Sequence, residues 1–92
     1  MSENNTTGPS LIKLGKLANS KKFDELEGAW LEVIAGQEIA PQDLLPIAGQ
    51  VSRLGAADKA TSLVWALLST LEERKGPHVA LSAARLAASE MP

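Results

Sequence analysis

The chain has no cysteine and no tyrosine, one phenylalanine, one histidine and two tryptophans among its 92 residues. Without cysteine there can be no disulfide, no thiolate nucleophile and no thiolate-ligated zinc. The single imidazole, His78, cannot form a metal site alone. A catalytic base also needs a nucleophile and an orienting group within hydrogen-bond reach, and no motif supplies them. Long apolar runs are missing as well: the longest, residues 63–68, falls far short of the ~20 residues that cross a bilayer. Residues 1–8 are polar and lack the basic start and apolar centre of a secretory signal, so the expected compartment is the cytoplasm, with no membrane partner. Positive charge is in deficit. Nine Lys and Arg against eleven Asp and Glu give a net charge of −2 and a pI near 5.3, the opposite of the basic surplus that neutralises phosphates, so direct nucleic-acid binding is not expected.

What is present is a repeat. Leu11 returns as Leu45 and Val79, and Gly15 as Gly49 and Ala83, each step being 34 residues. Between them Leu26 aligns with Ala60, Trp30 with Val64, Val33 with Leu67 and Ile34 with Leu68. A 34-residue period with two helices per unit is the signature of tetratricopeptide-type repeats, each unit burying its apolar face only against its neighbours. Gly15 and Gly49 fall inside expected helices, where Gly costs about 1 kcal/mol relative to Ala, so a shared cause is expected: close approach of a neighbouring backbone. Pro9 and Pro77 stand two periods apart, each opening a helix of the first type. The usual Trp and Tyr of the first helix and the closing Pro of the unit are absent; Leu11, Leu45, Glu38 and Glu72 stand in or near those places.

At 45% hydrophobic and 22% charged residues the chain reads as one soluble globular domain, residues 9–92, behind a disordered tail, residues 1–8. The apolar spacing predicts five helices, over about 9–20, 23–36, 42–54, 57–75 and 77–88, and no strand. Glycines 36, 55 and 76 close the second, third and fourth. Asp58 is read as capping or opening the fourth. The expected fold is all-α: a five-helix, tetratricopeptide-like right-handed array of two and a half units, or a compact helical bundle.

No catalytic, cofactor-binding or metal-binding residues are assigned, and no cofactor is expected. The acidic group Asp24, Glu25, Glu27 and Glu32 lacks a phosphate-binding loop beside it, and a helix start accounts for its first three members. Trp30 and Trp65 are assigned to the core. The residues best placed to meet a partner lie on the first-type helices, where Lys16 aligns with Gln50 and Asn19 with Arg53; with Lys13 they offer cations and amides to an acidic peptide or helix, or they simply solubilise that face. Ala84, Leu86, Ala87 and Met91 on the last helix would serve a weak self-association, so monomer or weak dimer is the expected state.

The stretch over residues 23–89 resembles the helical N-terminal region of long GreA/GreB-type transcription elongation factor-like proteins of bacteria, on the residues FDELEGAWLEVI (23–34), DLLPIAGQVSRLGAADKATSLVWALL (43–68) and ALSAARLAASEMP (80–92). That resemblance spans about three quarters of the chain and implies a protein-interaction module whose partner is RNA polymerase. The family's transcript-cleavage activity depends on an acidic pair at the tip of a long coiled coil. No residue here matches that motif and no sustained heptad hairpin is present, so no catalytic residue is carried over. The finish at Ser89-Glu90-Met91-Pro92, directly after an amphipathic helix, fits a module cut from a longer parent.

Overall fold

The computed structural model describes residues 7–36 and 41–90, and these form five helices with no strand among them. They are α1 (Thr7–Asn19), α2 (Phe23–Gly36), α3 (Pro41–Arg53), α4 (Ala57–Lys75) and α5 (Pro77–Glu90). The bounds of α2 and α4 agree with the spacing of their apolar residues. Helix α1 starts at Thr7, so Thr7 and Gly8 belong to a helix rather than to the expected tail, whose other residues, like the connection over 37–40, lie outside the described part.

Local chemistry fixes the turns. After α1, the Lys22 N–H donates to the Leu17 carbonyl and the Lys21 N–H to the Ala18 carbonyl, both at 3.0 Å, with Lys21 left-handed at φ 59°. After α3, the Ala56 N–H donates to Val51 and the Gly55 N–H to Ser52, with Gly55 at φ 101°. These are the same Schellman closure one repeat apart. Gly76, at φ 98°, is the one residue between α4 and α5, and its N–H donates to the Leu71 and Glu72 carbonyls. Asp58 does not cap α4: Ala56 holds that position without a side-chain bond, and Asp58 sits in the first turn, where its charge meets the positive helix end. Pro46 lies inside α3 on an exposed side, so the backbone bond it cannot donate is lost facing water.

Helix α3 packs against α1, α4 and α5, and α4 packs against α2, α3 and α5, so these two form the centre of the bundle. The core runs through Leu14, Leu26, Trp30, Leu45, Val51, Leu63, Leu67 and Leu71, all fully or almost fully buried. No buried polar or charged residue occurs among the described residues. A radius of gyration of 12.4 Å matches the ~12 Å of a compact chain this long, so the molecule is an all-α bundle.

Candidate functional site

Helices α1 and α3 bring two of the five candidate residues into contact. Asn19 and Gln50 stand 31 residues apart in sequence, and the Gln50 Nε2 donates to the Asn19 Oδ1 across the junction. Lys16 and Arg53 occupy the same helix rows three residues away, Lys16 from Asn19 and Arg53 from Gln50, and both are exposed. Arg53 also turns toward the end of α5, its Nη1 donating to the Glu90 carbonyl at 3.4 Å, where a cation complements the negative helix end. Lys13 takes no part in this row. It lines a separate cleft between α1 and α2, facing Glu25 and Glu32 and floored by Leu17, Gly28 and Ala29. The structure therefore joins Asn19 to Gln50, leaves Lys16 and Arg53 exposed one turn away on their own helices, and places Lys13 in another cleft. The side chains of Lys16, Asn19, Gln50 and Arg53 are two cations and two amides.

The acidic start of α2 is partly taken up inside the fold. Lys59 on α4 approaches Glu27 at 3.0 Å and Asp24 at 3.3 Å. Hydrogen bonds to Glu27 and then Asp24 push the Lys59 ammonium above the ordinary lysine range. No group of three or more potential metal ligands forms among the described residues, and His78 is exposed at the start of α5. None of the helices is long and apolar enough to cross a membrane among the described residues.

The two tryptophans part company. Trp30 is fully buried and its Nε1–H donates to the Leu63 carbonyl at 2.9 Å. Trp65, assigned to the core from its type, is instead 65% exposed. The reason lies in helical phase. Ala60, Leu63, Leu67 and Leu71 form the buried stripe of α4, and Trp65 falls two residues from Leu63 and Leu67, on the far side of a helix with 3.6 residues per turn. That signal was available in the sequence. Trp65 borders a shallow hollow of about 220 Å³ with Thr61, Val64, Ala84, Ala87 and Ala88.

The last helix uses its small residues at home. Ala87 is buried and Leu86 packs against the core, which takes both away from the expected self-association face; Met91 lies outside the described residues. Comparison of the chain with protein-family models, with curated proteins and with solved structures finds no match.

Proposed function

We propose that this chain is a non-enzymatic protein-interaction module that takes an acidic segment across α1 and α3. The observation that carries the reading is the Asn19–Gln50 bridge, which ties the two helices together, with Lys16 and Arg53 exposed one turn away on their own helices. Two cations flanking paired amides suit a carboxylate-rich peptide or helix, with the bridge limiting the freedom lost on binding. The resemblance of residues 23–34, 43–68 and 80–92 to Gre-type elongation factor-like proteins supplies the parent: an N-terminal, tetratricopeptide-like helical domain working in the bacterial cytoplasm, with RNA polymerase as the partner.

The test is binding of purified RNA polymerase, and separately of an acidic helical peptide, to the chain and to its Lys16→Glu, Arg53→Glu double variant. Both residues are exposed, but each is the basic residue of a last helical turn and Arg53 also donates to the Glu90 carbonyl, so the variant is expected to lose about 1–2 kcal/mol of stability and to remain folded. The expected result is salt-sensitive binding that the double variant loses by roughly tenfold or more, as charge reversal at a steering patch does. Binding of the acidic peptide alone would support a general adaptor in place of the transcription role. Unchanged binding of both by the variant would sink the patch.

A further inference from the structure

The last turn of α5 reaches one of the two cations of the proposed surface. The Arg53 Nη1 donates to the Glu90 carbonyl at 3.4 Å. The same oxygen lies against α3 where glycine stands: a Cβ on Gly49 would come within 2.8 Å of it. Gly49 and Arg53 are four residues apart and so share one face of α3. A missing side chain and a guanidinium one turn on therefore converge on a single atom.

The repeat does not require this contact. One period earlier the corresponding carbonyl, Ala56, accepts the Ala60 N–H at 2.9 Å as α4 begins, and Gly15 has open space. Asn19, which stands at the register of Arg53, is held by Gln50 instead. The end of α5 is also anionic in effect. A helix finishes on carbonyls without intrahelical donors, which together carry about half a negative charge. Glu90 brings a carboxylate to the same turn. The Ser89 hydroxyl turns back to the Leu86 carbonyl at 2.8 Å and leaves the Glu90 carbonyl to Arg53.

We infer that the end of α5 is an autoinhibitory contact: it holds Arg53 in the free chain, and an acidic segment binding across α1 and α3 displaces it. This inference rests on the reading of α1 and α3 as the surface for such a segment. A carboxylate arriving at Arg53 meets the terminal carbonyls of α5 as neighbours of like sign, so it binds better once the last turn has moved away. The coupling is reciprocal. Loosening the turn tightens the ligand, and the ligand loosens the turn by the same factor.

The test is calorimetric titration of the full chain with a glutamate-rich helical peptide. Two variants loosen the end of α5 by different routes. Gly49→Ala pushes on the Glu90 carbonyl from α3, and Ala88→Gly weakens the last turn from within, at an exposed position. Each is less stable than the parent, yet each is expected to bind the peptide about two- to fivefold more tightly, the scale of a cation released from a helix end. Combining either with Arg53→Met should abolish the gain, because the gain runs through that guanidinium. Affinity at or below the parent's in both variants would overturn the inference and leave the reading of α1 and α3 standing. A gain that survives Arg53→Met would overturn it equally. Absence of peptide binding by the parent and by both variants would remove that reading, and this inference with it.

Discussion

The first and second helical pairs share a register but not a burden. At the same position, Trp30 in α2 is fully buried and hydrogen-bonded to α4, while Val64 in α4 is half-buried beside an open hollow. Gly49 in α3 lies so near the end of α5 that a methyl group there would come within 2.8 Å of the Glu90 carbonyl oxygen; Gly15 in α1 has open space in the corresponding direction. The turn inside the first pair, between α1 and α2, holds Lys21 in the left-handed region, and the turn inside the second, between α3 and α4, uses Gly55. A sequence repeat therefore sets where contacts can form, and the neighbours that arrive decide which ones do.

Substitutions at matched positions sharpen this contrast. The largest effect is expected at Trp30→Ala, about 3–5 kcal/mol of lost stability, because a large cavity opens and the Leu63 carbonyl loses its indole donor. Val64→Ala, at the same register, should cost about 1 kcal/mol or less, since half of that side chain already faces water. Urea denaturation of the two variants checks the pair, and equal losses would break the comparison. Next come the glycines. Gly49→Ala should cost about 1–2 kcal/mol by forcing α3 and α5 apart, whereas Gly15→Ala should gain up to about 1 kcal/mol from helix propensity with nothing to collide with. Opposite signs in thermal melts are the signature.

The turns follow. Gly55→Ala should lose about 1 kcal/mol and Lys21→Gly should gain several tenths, because a Cβ is strained at positive φ. The smallest effect belongs to Lys59. Its ammonium is pushed above its ordinary value by Glu27 and Asp24, so its contribution is fully present below the usual lysine range, and it disappears as pH rises through the raised value. Lys59→Met should therefore narrow the stability difference from the parent only at strongly alkaline pH, and high salt should shrink it at neutral pH.

Helix bounds were legible because Gly55, Gly76 and Pro77 punctuate the chain where helices must stop or start. The phase of each buried stripe was legible too, and the assignment of Trp65 to the core failed because residue type was weighed above phase. The glycine pair was half legible. Helical glycine at 15 and 49 implied a shared cause, but the end of α5 reaches Gly49 and no neighbour reaches Gly15, and no sequence pattern announces which neighbour comes that close. The Asn19–Gln50 bridge and the Lys59 ion pairs join residues 31 to 35 apart in sequence, and only helix stagger brings them together. Lys13 left the expected row for the same reason: its row points toward α2.

The unequal fates of the two indoles give the protein its own optical labels. Trp30 is sealed from water, so its emission should lie to the blue and resist aqueous quenchers until the core opens. Trp65 is largely wet and should emit to the red and be quenched at once. Each ring reports a different event, and Trp65→Phe would leave a clean signal of global unfolding.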